Sequence, residues 1–442
     1  MAGPTEPGKM SERYTVRPAS GPLRASVRVP ADKSIAHRVA LLAAWAEGSS
    51  ELIDFPHSRD PRSTLASLAA LGVPIEETRP GQIRVQGVGL RGFRLHGQRL
   101  WCGNSATTMR LLAGMLIGQR GEVWLDGDES LRRRPMERLA APLRRMGGSV
   151  QTRDGLPPIY IQGTARLKGG GFRMEVPSAQ VKSALLLAGL LAEGETTVLE
   201  PIPTRDHTER LLGLEPVQTP EGWLLRLVGG TIRPQPDRYQ IPGDPSAAAF
   251  WAVAAALIPG SQIELLEVGL NPTRTAFLEV LRRVGAEVEV VCERWLGREP
   301  VGRICVRAAG LHPFRIDAPE SALLIDELPV LAVLASQAQG ESWITGAREL
   351  RVKESDRIRA MTEGLRRMGA RVEELEDGWV FEGPARLRGA EVSSCADHRV
   401  AMALAIAGLL AEGETVIEGA EWVEISYPGF WQTLARFQAM SS

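Results

Sequence analysis

The chain has 442 residues, 44% apolar and 24% charged, a balance that excludes an intrinsically disordered protein. Its 52 basic side chains nearly cancel its 53 acidic ones, so no net field draws it to nucleic acid or to an anionic membrane, and any anion site must be local. At roughly 150 residues per domain, length alone suggests about three domains.

The opening stretch MAGPTEPGKMSERYTV lacks an apolar targeting core. The longest apolar runs, 247–258 and 400–411, have 12 residues, against the roughly 18 that a membrane span needs. Neither export nor a membrane span is expected. Cys102, Cys292, Cys305 and Cys395 form no C-x-x-C pair and the six histidines show no metal-ligand spacing, so a reduced, cytoplasmic, metal-free protein is expected.

In chain order, one pattern returns six times: an Ala/Leu-rich helix, a glycine, then a short β-branched strand. LAEGETTVLE (191–200) reappears as LAEGETVIEG (410–419). The glycines are Gly48, Gly121, Gly194, Gly260, Gly340 and Gly413, on average 73 residues apart. Each apolar helix is expected to start at a capping-type residue: Ser34, Asn104, Ser178, Asp244, Asp326 and Asp397. An amphipathic helix closing on glycine and a further strand follow, as in 134–151, 274–290 and 357–374. The unit therefore reads as βαβαβ-like. The sixth copy stops inside its second helix near residue 440, so strands preceding Lys33 are expected to complete it and bring both termini into one domain.

Cations cluster where helices should begin. Lys33 and Arg38 in ADKSIAHR, Arg134, Arg205, Lys353, Arg357 and Arg399 all lie at or beside such starts. A cation at a helix N-terminus opposes the macrodipole unless an anion lies between them. One such segment also fits a surface cap with solvated charges; the recurrence in separate copies favours a ligand with several negative charges. GNSATTMRLL (103–112) reads either as a close approach to a ligand or as a tight turn, and PSAQVKSALLL (177–187) offers Ser178 and Gln180. Asp326, inside ALLIDELPVLAVL, is either a cap or a base with a perturbed pKa, and Glu354 is a second acid/base candidate. Two patterns are rejected. GVGLRG (87–92) matches G-x-G-x-x-G but no apolar helix follows, and neither Lys33-Ser34 nor Lys182-Ser183 has the glycines of a phosphate-cradling loop.

DKSIAHR, GNSATTMR, RRRPM, PSAQVKSALLLAGL, TRDHTE, PGDPSAAAF, LNPTRT, IDELPVLAV, RVKESDR and DHRVAMA, in this order, resemble the EPSP synthase family from about residue 17 onward. The resemblance implies an α/β fold of two similar domains, each an inside-out barrel of three βαβαββ units. Their boundaries would be 32–242 against 1–31 plus 243–442, with a hinge near 30–32 and 241–243. It implies an active site in the cleft, where phosphoenolpyruvate donates its enolpyruvyl group to the 5-hydroxyl of shikimate 3-phosphate by addition and elimination. Shikimate 3-phosphate would meet Lys33, Ser34, Arg38, Ser178, Ala179, Gln180, Arg205, Asp326 and Lys353. Phosphoenolpyruvate would meet Lys33, Asn104, Ala106, Arg134, Gln180, Arg357 and Arg399. Asp326, Glu354 and Lys33 would carry the proton transfers, with no cofactor or metal, in a monomer.

Ala106 stands where the family's commonest form has Gly, and Ile425 where it has Lys. Both departures resemble the glyphosate-insensitive, class II-like branch. The sister transferase acting on UDP-N-acetylglucosamine carries Lys-Asn where this chain has Lys33-Ser34, and usually a reactive Cys before the Arg134 position; residues 103–134 contain none. A non-enzymatic repeat scaffold would have interchangeable helix starts, and these six differ.

Overall fold

The structure, a computed structural model, describes residues 11–308 and 310–440. Its framework is six helices that are apolar on nearly every side: α1 (Lys33–Trp45), α2 (Ala106–Leu116), α3 (Ala179–Leu191), α4 (Pro245–Leu257), α5 (Leu328–Gln337) and α6 (His398–Gly408). In α4 all thirteen residues are buried. With no polar stripe to turn toward water, such helices must be enclosed from all sides.

Among the described residues, six small sheets enclose them. One repeat shows the rule. Strands Arg99–Trp101 and Gly121–Asp126 pair in parallel, with α2 between them in sequence. The amphipathic helix Glu137–Arg145 then leads to the hairpin Ser149–Arg153 and Leu156–Gly163, whose second strand returns antiparallel to Gly121–Asp126. The unit is thus βαβαββ; the residue pattern read as βαβαβ-like missed this last strand. LPPIYIQG opens with two prolines, which argue against a strand when read alone.

Strands are exchanged along the chain. Arg24–Arg28 pairs with Gln262–Gly269, Arg238–Gln240 with Ser49–Ile53, and Arg13–Val16 with Thr415–Glu418. The N-terminal strand therefore completes the sixth sheet. Two segments cross between the halves: Asp32 N donates to Pro242 O at 2.7 Å and Asp244 N to Pro30 O at 2.8 Å. Buried apolar residues form two separate cores, one from Ile35 to Ile241, the other from Val16–Val29 together with Ala247–Phe437.

The caps differ in detail from the expected ones. Ser178, Asp244 and Asp397 accept from Val181 N, Ser246 N and Arg399 N. For α1 the cap is Asp32 rather than Ser34, and for α2 it is Ser105 rather than Asn104. Each pair lies within two residues and either member can cap, so composition does not choose between them. Asp326 caps nothing: it lies in a turn between Ala318–Leu323 and α5, which has no side-chain cap. GVGLRG forms a loop, where a side chain at Gly87 would meet Ala46 O at 2.1 Å.

Helices α2 and α3 pack backbone to backbone at Gly114, where an added Cβ would lie 2.3 Å from Ala184 O and 2.7 Å from Ala184 Cα. Gly114→Ala should therefore lower the unfolding free energy by about 1–3 kcal/mol, the usual cost of overpacking. A lowered urea midpoint at unchanged slope is the expected reading; an unchanged midpoint would refute the close contact.

Candidate active site

The starts of α1, α2 and α3 face the turn before α5, the start of α6 and the start of a helix at Arg357–Arg367. Lys33, Arg134, Arg205, Arg357 and Arg399 gather at these starts, where the helix macrodipole favours an anion. Lys33 N lies 3.3 Å from Asp244 Oδ2, and its ammonium pairs with Asp60 at 3.0 Å.

Arg357 is the hub. Its fully buried guanidinium reaches Asp397 Oδ2 at 2.7 Å, Glu354 Oε2 at 2.6 Å and Asp326 Oδ1 at 3.3 Å. Asp326 also pairs with Arg205 at 2.8 Å, across the cleft, and Arg399 lies 3.6 Å away. Burial alone would raise the Asp326 carboxyl, yet Arg399, Arg205, Lys353 and Arg357 hold it well below the carboxylate range. Glu354 is likewise opposed by burial but held well below by Arg357, Arg134 and Lys33. Burial pushes Lys353 down to about 8, against the pull of Asp326. Among the described residues its ammonium has no ion-pair partner, and it sits half-buried in the cleft.

The opposite wall comes from the first half of the chain. Arg134 contacts Glu354 at 3.5 Å and donates to Asn104 Oδ1 at 2.7 Å, while Asn104 donates to Asp128. Ser130 Oγ donates to the Glu354 carbonyl. Ala106 opens α2 beside these groups and is buried. Gln180 is held by Arg110 at 2.6 Å and by Thr107 at 2.9 Å, in the first turn of α3 next to Ala179 and the capping Ser178. Ser34 is half-buried in the first turn of α1. Arg38 lies one turn deeper, bonded to Thr208, Ser183 and the Ser34 carbonyl. Lys182 is fully buried between Glu200 and Glu209.

Three features escape sequence reading. Asp60 looks like an ordinary first-turn acid, and only the fold brings it to Lys33. Arg138 and Glu349 form a partly buried 2.6 Å bridge between the halves, from residues 211 positions apart. His398 follows the capping Asp397 and is fully buried, and among the described residues neither ring nitrogen has a hydrogen-bond partner. Burial, Lys33, Arg399 and Arg357 hold it neutral, against the pull of Glu354. The signal for it was its place inside DHRVAMA.

This architecture is that of an enolpyruvyl transferase: the chain superposes on the enolpyruvyl transferase NikO from Streptomyces tendae with TM-score 0.75 over 97% of this chain and 98% of that one, at 19% identity, a likeness of fold alone. An EPSP synthase from Acinetobacter baumannii superposes with TM-score 0.83 at 41% identity, over 96% and 98% of the two chains. The 3-phosphoshikimate 1-carboxyvinyltransferase of Salinibacter ruber is 48% identical over 94% of this chain and 97% of its own. The enzyme of that name from a Synechococcus species is 48% identical over 95% and 98%. The profile of EPSP synthase (3-phosphoshikimate 1-carboxyvinyltransferase) matches residues 18–434. The chain belongs to the EPSP synthase family.

Asp326 and Glu354 lie below their ordinary values of 3.8 and 4.5. Their stabilising contribution is therefore complete above those values and is lost as pH falls through the lower folded ones. The double variant Asp326→Asn/Glu354→Gln should lose stability less steeply than the wild type between about pH 5 and pH 1. Urea unfolding across that range tests this; parallel curves would show that the carboxyls contribute no such linkage.

Proposed function

We propose that the cleft joins phosphoenolpyruvate to the 5-hydroxyl of shikimate 3-phosphate, giving 5-enolpyruvylshikimate 3-phosphate and phosphate, a step toward chorismate and the aromatic amino acids. The observation that carries this reading is the buried Arg357 joining Asp326 to Glu354, two acid/base groups ringed by five further cations. Arg134, Arg357 and Arg399, with Lys33, Asn104, Ala106 and Gln180, receive phosphoenolpyruvate. Arg205, Lys353, Lys33, Arg38, Ser34, Ser178, Ala179, Gln180 and Asp326 receive shikimate 3-phosphate.

The chemistry follows from charge exchange. With no substrate, the carboxylates satisfy the arginines and are weak bases for it. Substrate carboxylate and phosphate groups that take over those arginines remove the cause of the depression, so the proton affinities of Asp326 and Glu354 rise in the complex. Asp326 then takes the proton of the attacking 5-hydroxyl. Glu354, with Lys33, delivers a proton to C3 as the 5-hydroxyl oxygen bonds to C2; in the elimination the pair takes a proton back from the C3 methyl group as the C2–O bond to phosphate breaks, while the arginines hold the developing charge.

The same reading makes 32–242 one domain and 1–31 plus 243–442 the other, hinged near 30–32 and 241–243, in a cytoplasmic monomer. It also places the chain in the glyphosate-insensitive, class II-like branch: the Ala106 methyl narrows the phosphoenolpyruvate side of the cleft, which burdens a longer inhibitor more than the substrate.

Mixing the protein with both substrates should release phosphate; silence with that pair and turnover with UDP-N-acetylglucosamine would reverse the assignment. Asp326→Ala should abolish turnover while shikimate 3-phosphate still binds, and unchanged turnover would remove Asp326 from the role of base. Ala106→Gly should lower the glyphosate concentration for half-inhibition by about tenfold or more, the worth of one methyl in a tight pocket. Equally weak inhibition would sink the branch assignment.

A further inference from the structure

Behind the cleft, where the two connecting segments cross, lies a second charge cluster whose central guanidinium bonds none of the residues assigned to substrate. Arg274 is its centre, fully buried and drawn from LNPTRT, just before the helix Ala276–Val284. Its NH1 reaches Asp32 Oδ2 at 2.6 Å and its NH2 reaches Asp244 Oδ1 at 2.8 Å. Those carboxylates are the caps of α1 and α4, one helix from each half of the molecule. One planar guanidinium thus ties together the two helix starts at the crossing.

The same group makes two more contacts. NH1 lies 2.9 Å from His207 Nε2, and NH2 lies 3.0 Å from Ser246 Oγ. Because a guanidinium only donates, Nε2 must accept and His207 must carry its proton on Nδ1, which faces Glu299 Oε1 at 2.7 Å. His207 belongs to TRDHTE in the first half, whereas Arg274 and Glu299 belong to the second. Ser246 bonds Glu327, and Glu327 is 3.7 Å from Arg205. Asp32 immediately precedes Lys33, Glu327 immediately follows Asp326, and Arg205 pairs with Asp326. Asp32, Asp244 and Glu327 are therefore each one residue, or one contact, from a group proposed to act on substrate.

We propose that Arg274, with His207 as its acceptor, is a positioning clasp that holds the Lys33 side and the Asp326 side of the cleft in a single register across the crossing strands. It meets no substrate. Its effect is on how well the two sets of reacting groups are aligned, which governs turnover more than the binding of one substrate to one wall. The inference rests on the transfer reaction proposed above, and wild-type turnover with that substrate pair is its control; a wild type without turnover would overturn both.

The test compares kcat, both KM values, shikimate 3-phosphate binding by calorimetry and thermal melting for the wild type, Arg274→Lys, His207→Phe and His207→Gln. Lysine keeps the charge but cannot span both caps. Arg274→Lys should melt cooperatively, bind shikimate 3-phosphate within about threefold of the wild type, and lose about tenfold to a hundredfold in kcat, the scale of a small misalignment. His207→Phe should lower kcat similarly, and His207→Gln, whose amide oxygen can accept from Arg274, should recover most of it. A kcat within about twofold of the wild type in Arg274→Lys would overturn the clasp. So would a kcat loss matched by an equal loss of shikimate 3-phosphate binding. If Arg274→Lys does not fold, the His207 pair decides: recovery in the glutamine variant supports the clasp, and equal losses in both overturn it.

Discussion

Six helices that are apolar all round can be enclosed only if their flanks are given over to packing, and this constraint dictates where chemistry can occur. Of α1–α6, it is the starts and the segments entering them that reach the cleft, joined by Arg134, Arg205 and Arg357 from the starts of three further helices. Helix starts offer unpaired N–H groups and positive potential, so the surface left over by burial is one that attracts anions. Every residue assigned to substrate here stands on a first or second helical turn or in the segment before one. The sheets carry no part of the site; they wall in the helices and fix their spacing.

That spacing creates a second problem, because six cations converging in a half-dry cleft repel one another. The protein answers with carboxylates from both halves: Asp60 at Lys33, Asp326 at Arg205, Glu354 at Arg134 and Arg357, and Asp397 at Arg357. Buried ion pairs of this kind are poor sources of net stability, since desolvation offsets much of their attraction. Their value is that the same arginines set the proton affinity of the acids and await the negative charge of a substrate. The nearly neutral composition conceals this arrangement, because the compensation is local.

Much of this could be read from the residues alone. The glycine period of about 73 marks real units, because a helix enclosed on all sides needs a turn and a β-branched wall strand after it each time. The clustering of Lys33, Arg134, Arg205, Lys353, Arg357 and Arg399 was legible as a class for the same electrostatic reason. What stayed hidden depends on distance along the chain or on local ambiguity. Asp32 and Ser34 are equally able to cap, the double proline of LPPIYIQG disguises a strand, and apolar neighbours make the Asp326 turn look like helix interior. Arg274 meets Asp32 from 242 positions away, and nothing near either residue announces the other.

The exchange of strands also bears on how the molecule is made. The core from Ile35 to Ile241 draws on one continuous stretch, including Arg238–Gln240 against Ser49–Ile53, and is complete while the ribosome is still adding the remainder. The other core is not. Arg24–Arg28 must wait for Gln262–Gly269, and Arg13–Val16 for Thr415–Glu418, some four hundred residues later. Because loop-closure entropy grows only slowly with length, the delay adds little to the equilibrium cost of closing so long a loop. Its consequence is in time: two edge-forming strands remain unpaired through most of synthesis, and the half of the cleft that holds Asp326, Glu354 and Arg357 matures last.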